Sequence, residues 1–416
     1  MDVLGLTDYA TTLALIAVLI LTFYLFGRRN FSYFKRLGLS GPEPISHLGN
    51  LMEITKLGFT KVFKYWREIY GDVYGMYFGV VPNCVVSDPE FIQEVLVKRF
   101  SNFVNRTRFE GDEIHNFALT SAKNDHWKYL RTVLNPSFTS HKMREMNAMI
   151  QTCADNLVEN IDKLAENGEV TDVKKLFSAY AIDVIAATGF GIMVNSQKDS
   201  DNLLVKKAKD ILTFSLFQPI ILLAYQMHKN LLNLMIKAQL KGHETLPPEV
   251  EKELHLENDL ATYDSVQKLP YLNMCMDETL RLYPVVLSFD RKCNKACMIK
   301  GVKIPENLTV RIAVDVLHYN SKYWPEPEKF IPERFSEEAK SKQVPFTYLP
   351  FGAGPRMCLG MRLAKLEFKI AAVEMIRNFK ILRTEKTEDP LVLGNNFLLA
   401  TVKNGVWVKF ERRLNK

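Results

Sequence analysis

From Tyr9 to Phe26 the chain is uncharged and almost wholly apolar, about the minimum length for a membrane-spanning helix. Asp2 and Asp8 lie before this run; Arg28, Arg29, Lys35 and Arg36 follow it. By the positive-inside rule the body that follows faces the cytosol. A cleaved leader would carry its positive charge on the other side and be followed by a small-residue cleavage site, and neither is found. Next comes Gly41-Pro42-Glu43-Pro44 through Gly49-Asn50, where proline fixes φ and holds the preceding residues extended. The pattern then turns mostly helical. Apolar spacing predicts helices over Ser140–Glu166, Val173–Thr188, Tyr271–Leu282 and Met361–Phe379. Strand-like segments cluster near Val73–Val80 and Asn83–Val86, and again around Lys295–Val310 and Leu391–Val408. The expected architecture is mainly α with a small β-region, in three parts: a membrane anchor over 1–30, a basic, proline-rich hinge over 31–50, and a body over 51–416.

Composition adds little to that picture. With 47% apolar and 24% charged residues the body is an ordinary globular chain able to bury a large core. No internal repeat, low-complexity tract or Gly/Ser linker divides it. The net charge of +7 comes from scattered lysines and arginines. That suits an anionic membrane surface or an acidic protein partner, and not nucleic acid. Cys84, Cys153, Cys275, Cys293, Cys297 and Cys358 lack the paired spacing of a secreted disulfide framework. Cys293-x-x-x-Cys297 resembles half a metal site without its second half, and reads as a strand with two incidental thiols.

The chemistry concentrates in Phe351-Gly352-Ala353-Gly354-Pro355-Arg356-Met357-Cys358-Leu359-Gly360, which fits F-x-x-G-x-R-x-C-x-G. The spacing holds one cysteine in a glycine-bounded loop ahead of a helix. A thiolate placed so can ligate haem iron and push electron density onto it. Gly354 and Gly360 permit backbone geometries that a side chain forbids and let the chain lie against a flat macrocycle. Backbone N–H groups and the following helix dipole stabilise the thiolate. Arg356 brings a permanent cation suited to a propionate, and Phe351 shields the sulfur. A dinucleotide loop is the competing reading; Pro355 and the lack of a preceding apolar strand weigh against it.

With Trp127-Lys128-Tyr129-Leu130-Arg131 and Asn135-Pro136-Ser137-Phe138-Thr139-Ser140, this loop gives the chain a resemblance to the cytochrome P450 haem-thiolate monooxygenases. The similarity is greatest to the microsomal, drug- and steroid-oxidising family 3, subfamily A. It implies the P450 fold, with residues 51–416 as the catalytic domain, and Cys358 as axial ligand of haem b (iron protoporphyrin IX). It implies that Arg106, Trp127, Arg131, Arg291 and Arg356 meet the haem propionates. Glu278-Thr279-Leu280-Arg281 places an acid and a base on one helix face. The resemblance implies that Arg334, in Phe330-x-Pro332-Glu333-Arg334-Phe335, joins them in a buried structural triad. Thr120 and Val285-Val286-Leu287-Ser288-Phe289 correspond to segments lining an apolar distal pocket, although ordinary core packing would look the same. The implied electron source is NADPH through cytochrome P450 reductase, with cytochrome b5 a further partner. The implied place is the endoplasmic reticulum membrane, single-pass, against lipid, with a small lipophilic substrate.

The resemblance breaks internally, near 225–260. Family members run longer by roughly eighty to ninety residues. After Leu216–Ala224, similar to the membrane-facing roof, and Met227–Gln239, similar to a short preceding helix, a long central helix bearing A-G-x-[D/E]-T is expected. This chain has Lys241-Gly242-His243-Glu244-Thr245-Leu246-Pro247-Pro248. Glu244 and Thr245 read either as a remnant of that proton relay or as the loop before a deleted helix. Lys241 and the two prolines oppose the first reading. His243 reads as a sixth iron ligand or as a solvated loop residue. The function implied is a monooxygenase that inserts one oxygen atom of O₂ into lipophilic steroids and xenobiotics, and two alternatives stand beside it. One is a peroxide isomerase of the thromboxane-synthase type, which needs no proton relay or reductase; the other is a catalytically silent variant acting through membrane-bound interactions.

Overall fold

β-Branched and aromatic residues gather in short runs, and nine strands form among the residues that the computed structural model describes, which are 3–28, 31–107, 118–196, 198, 261–389, 391 and 402–413. They are β1 (Val73–Phe78), β2 (Val81–Val86), β3 (Val170–Asp172), β4 (Ser288–Lys292), β5 (Cys297–Ile299), β6 (Val302–Ile304), β7 (Thr309–Ala313), β8 (Phe379–Leu382) and β9 (Trp407–Arg412). The chain divides into two compact units. One joins Met1–Thr107 to Ser288–Val316, and the other joins Arg108–Leu287 to Leu317–Lys416.

The first unit is built on a four-stranded sheet of order β1-β2-β7-β4. β1 and β2 form an antiparallel hairpin from Val73↔Val86 to Phe78↔Val81. β2 runs parallel to β7, and β4 antiparallel to it. β7 is buried along its whole length because it lies between two neighbours. The helix Phe59–Tyr70 turns Phe59, Val62, Phe63 and Trp66 inward at i, i+3, i+4 and i+7. The proline-rich hinge is stitched to this sheet. Asn50 Oδ1 accepts from the Tyr77 N–H at 2.8 Å, and its amide donates to the Glu43 carbonyl at 3.2 Å. A Cβ on Gly75 would stand 2.2 Å from the Phe34 ring, so glycine there lets Phe34 seat itself almost wholly buried. β5 and β6 form a separate hairpin, turning through Lys300 and Gly301 at φ 48° and 78°. Two consecutive positive φ values match the right-handed twist of a tight hairpin.

The first helix, Val3–Arg28, spans 26 residues. Near its end the Phe23 ring stacks on His47 at 3.7 Å, and Tyr24 O accepts from Ser46 Oγ at 2.9 Å. Among the described residues no helix is long and apolar enough to cross a membrane. In this helix the side chains described without a gap run only from Thr11 to Leu25.

The second unit centres on the 27-residue helix Ser140–Glu166, packed on Val173–Phe190 and Met361–Asn378. Thr139 caps the first of these and Asp172 the second, each accepting a backbone N–H from within the first turn. Gly191, at φ 68°, ends Val173–Phe190 in the left-handed conformation. Val173–Phe190 and Met361–Asn378 are buried on most sides, which sets the core of the unit around them. β3, β9 and β8 make an antiparallel sheet of order β3-β9-β8 at its edge.

The predicted helices match within two residues at each end, with Tyr271–Leu282 starting one residue earlier at Pro270. The strand expectations need correction. Lys295–Val310 is a hairpin followed by a turn, with Asn307 at φ 68°, and β7 begins only at Thr309. Of the segments expected around Leu391–Val408, residues 392–401 lie outside the described residues, and β9 runs from Trp407 to Arg412. β3 and β8 are strands that the sequence pattern does not predict. His243, Glu244, Thr245, the roof segment Leu216–Ala224 and Met227–Gln239 lie outside the described residues.

Candidate functional site

The cysteine loop is shaped by its glycines. Gly352 and Gly354 stand at φ 71° and 73°, where a side chain would be strained. Their turns close through Gly352 N–H to Leu349 O at 3.1 Å and Met357 N–H to Gly354 O at 3.0 Å. The Cys358 N–H then donates to Phe351 O at 3.0 Å, which draws the two ends of the loop together. Gly360, the N-cap of the Met361–Asn378 helix, stands at φ −82°, which any residue adopts, so the expected glycine-only geometry falls at Gly352 and Gly354 and not at Gly360. Cys358 is part-exposed, whereas Phe351, on its flank, is 8% exposed. The loop therefore presents a thiol at the edge of a packed core.

Helix Asn124–Leu134 brings Trp127 and Arg131 to the same loop, one turn apart on one face. Arg131 Nη1 donates to Met357 O at 2.8 Å. Burial lowers the Arg131 pKa, and the neighbouring Cys358 pulls it the other way. Arg356, buried within the loop, donates from Nη2 to Ala122 O at 2.6 Å, and its Cζ lies 4.4 Å over the Trp127 ring. Two cations and an indole thus share one wall with the cysteine.

Behind the loop, Glu278 and Arg281 are fully buried on the helix Pro270–Leu282 and meet bidentately at 2.7 and 2.9 Å. Arg281 also donates to His318 O at 2.8 Å and to Lys329 O at 3.2 Å, and its guanidinium lies 5.5 Å over the Trp324 ring. Glu278 Oε1 accepts the Ile331 N–H at 2.9 Å and lies 3.4 Å from Arg334 Nε, the longest contact of the group. Burial lowers the Arg334 pKa, and Glu278 opposes that effect. The sequence reading named these three residues, and the structure brings them together.

It missed what links them to the loop. His318 is fully buried, with Nδ1 3.2 Å from Arg281 O and Nε2 accepting the Leu349 N–H at 2.9 Å. Those partners require a neutral ring protonated at Nδ1. Burial, reinforced by the Arg281 cation, pushes its pKa down to about 3. Tyr348 Oη donates to Asp277 O at 2.9 Å, and Lys340 and Lys365 each reach the Asp277 carboxylate at 3.1 Å. Lys369 Nζ holds Gln267 Oε1 at 2.8 Å, and burial brings its pKa down to about 8. A histidine within Leu317-His318-Tyr319-Asn320 offers no spacing signal; only the fold shows that it bridges two segments.

The remaining candidates fall as follows. In the first unit, the bridge Asn105↔Lys292 sets the backbones of Arg106 and Arg291 side by side. Arg291 is buried, donates to Asp290 O at 2.8 Å and lies 5.3 Å over the Phe289 ring. Ser288 Oγ accepts from Arg311 Nη1 at 3.2 Å. In the second unit, Val285 and Leu287 are buried, Val286 packs on the core from a part-buried position, and Thr120 is part-exposed.

Comparison with known proteins bears on this arrangement. The family model for Cytochrome P450 matches residues 39–252 and 243–408. Cytochrome P450 3A9 of Rattus norvegicus is 33% identical over 489 aligned positions, covering 97% of each chain. Cytochrome P450 3A16 of Mus musculus is 33% identical over 479 positions, 94% of this chain and 95% of its own. Lithocholate 6-beta-hydroxylase of Mesocricetus auratus is 33% identical over 474 positions, 93% of this chain and 94% of its own. Each alignment runs over more positions than the 416 residues present here, so these relatives carry residues opposite gaps in this chain.

Proposed function

This chain belongs to the cytochrome P450 monooxygenase family and is similar to its 3A members, and on that premise we propose an enzyme that inserts one oxygen atom of O₂ into lipophilic steroids and xenobiotics. The observation that carries the reading is the Cys358 loop: a part-exposed thiol, two left-handed glycines beside it, and Arg131, Arg356 and Trp127 around it. That donor set fits the haem b which the family implies, with sulfur for the iron and permanent cations for the propionates. Haem, when bound, supplies the activation of O₂ and its transfer to a C–H bond. Cys358 Sγ would ligate the haem iron, and the Phe351 ring would shield it from water. Gly354 and Gly360 let the backbone approach the macrocycle. Arg131, Arg356 and Trp127 orient the propionates, while Arg106 and Arg291 enter on the resemblance alone. Glu278, Arg281 and Arg334 hold the loop from behind and take no chemical part. Thr120, Val285, Val286, Leu287, Ser288 and Phe289 are proposed, on the resemblance alone, to line an apolar pocket; an apolar lining favours lipophilic substrates.

The proposed anchor is the helix Val3–Arg28. Val18, Leu19, Ile20 and Leu21 are each more than half exposed, and four successive residues point all round a helix. A helix apolar on every side and uncovered by protein suits hydrocarbon. We place it single-pass in the endoplasmic reticulum membrane with the body in the cytosol, where NADPH–cytochrome P450 reductase delivers electrons and cytochrome b5 is a further partner.

One observation favours a second reading. The two matched segments share residues 243–252, as they would if the family's centre were cut out and the flanks joined. We read this as an internal truncation near 225–260 that leaves Glu244 and Thr245 as a degenerate relay. A haem-thiolate peroxide isomerase needs no such relay and remains the alternative.

The test is the reduced carbon monoxide difference spectrum of the full chain. A thiolate-type band is expected, lost in Cys358→Ala and kept in Cys293→Ala and Cys297→Ala. A band that survives Cys358→Ala would overturn the ligand assignment. NADPH consumption with added reductase then separates the monooxygenase from the isomerase, which draws none.

A further inference from the structure

Cys293 and Cys297 are more than incidental thiols on one strand, because the fold brings both up to Ile304. Cys293 follows the end of β4 and is pinned at both backbone groups: its N–H donates to Leu308 O at 2.9 Å, and its carbonyl accepts from Asn307 N–H at 2.7 Å. Its Sγ is buried, 3.1 Å from Lys295 O and 3.9 Å from Ile304 O. Cys297 opens β5, and the β5–β6 register sets it directly opposite Ile304. Residues paired across antiparallel strands share a face, with Cβ atoms about 5 Å apart. Burial alternates along β5 in the same sense: Met298 is 53% exposed, Ile299 is buried, and Cys297 is intermediate. Cys297 therefore faces inward beside Ile304, the residue whose carbonyl Cys293 Sγ approaches. Both side chains thus lie against Ile304, one at its carbonyl and the other directly across the strand pair.

We infer that Cys293 and Cys297 form a redox-active dithiol that hydrogen peroxide closes to a disulfide. The part-exposed Cys297 reacts first. Its sulfur attacks one peroxide oxygen, the O–O bond breaks, and sulfenic acid and water form. The Cys293 sulfur then attacks the Cys297 sulfur; the S–S bond forms, the S–O bond breaks, and hydroxide leaves with the Cys293 proton as water. Two thiols have lost two protons and two electrons, and one peroxide has become two waters. The order of events follows from burial, which pushes the Cys293 thiol up to about 11 and makes it a poor first nucleophile. A dithiol reductant reverses the bond, so a reducing compartment keeps the pair open between exposures.

The experiment treats the full chain with hydrogen peroxide, blocks remaining thiols with iodoacetamide, and maps tryptic peptides by mass. Cleavage after Lys292, Lys295 and Lys300 puts Cys293 in peptide 293–295 and Cys297 in peptide 296–300, so a cross-link joins two separate peptides. The expected product is that linked pair, two hydrogens lighter than the sum, restored by dithiothreitol and formed in severalfold lower yield by chain unfolded in guanidinium. Buried Cys84, Cys153 and Cys275 act as internal controls that stay unlinked. In Cys293→Ser, Cys297 is expected to be trapped by dimedone as the sulfenic acid. Two outcomes overturn the inference, both read on the unmutated chain. One is oxidation of Cys297 to sulfinic or sulfonic acid with no linked pair; the other is equal linkage in the unfolded chain.

Discussion

Arg356 lays its guanidinium 4.4 Å over the Trp127 ring, and both side chains are more than nine-tenths buried. A cation so placed is held in orientation by the ring's negative face. Its Nη2 meanwhile ties the loop to Ala122 O. Loop and helix are thereby joined through one guanidinium.

Trp127→Ala should lose about 3 kcal/mol or more of stability, because it deletes a buried aromatic and the Arg356 contact together. Trp127→Phe retains a ring and should lose less. Chemical denaturation of both variants checks the order, and haem content per chain should fall in the same order.

The Glu278–Arg281 pair is fully desolvated. Removing one partner strands a buried charge, so Glu278→Gln or Arg281→Met is expected to cost about 3–5 kcal/mol. The double variant should be destabilised by clearly less than the sum of the singles, since it leaves neither charge alone. Denaturant midpoints of the four proteins test this; additive losses would show that the two residues do not act as a pair.

His318 predicts a pH dependence with a definite sign. Its folded pKa is about 3 against 6.5 when free. Between those values the unfolded chain takes up a proton that the folded chain refuses, so stability falls as pH drops from about 6.5 toward 3, by up to about 1.4 kcal/mol per unit. Asp183 and Asp315 act in the opposite direction. Burial raises each from 3.8 to about 6, so their unfolded forms ionise first and stability falls as pH rises through that interval. The net curve mixes both, and the difference between the unmutated chain and His318→Gln isolates the histidine. The variant should lose stability less steeply on acidification below about pH 6.

The helices were legible because burial on one stripe leaves a periodic trace in sequence; Ser140–Glu166 has the same bounds in both readings. β3 and β8 were not, since strands of three and four residues at a sheet edge carry too few alternations to register. At the site, charged and aromatic partners at short or fixed spacing, such as Trp127 with Arg131 and Glu278 with Arg281, could be paired on paper. The contacts that join those pairs run to backbone carbonyls of Ala122, Met357 and Lys329. Every residue has a carbonyl, so no residue type marks them. His318 escaped for the same reason, as both its ring nitrogens serve main-chain groups.

Deleting the first helix should separate anchoring from folding. A chain beginning at Phe31 keeps Phe34, Asn50 and the sheet contacts that hold the hinge, while it loses the exposed apolar residues from Tyr9 to Leu25. It should lose most carbonate-resistant association with microsomes and retain a salt-sensitive remainder. Full carbonate resistance in the shortened chain would mean that the anchor lies elsewhere.

The proposed truncation near 225–260 is the consequence most worth measuring, because it decides whether an intact cysteine site suffices for turnover. The relatives carry residues opposite gaps in this chain, and the matched segments meet where the distal proton relay is expected. If the truncation removes the central helix, water would enter the site and protons would arrive without order, whatever Cys358 and its arginines do. Haem-loaded chain supplied with reductase should therefore consume NADPH slowly and release mainly hydrogen peroxide and superoxide, with little hydroxylated steroid. Inserting a full-length helix bearing A-G-x-E-T between Gln239 and Pro248 should shift electrons from peroxide to product. Peroxide yield and product yield per NADPH, measured side by side, give the coupling ratio. Tight coupling in the chain as it stands would show that Glu244 and Thr245 already deliver protons, and the truncation would then be functionally silent.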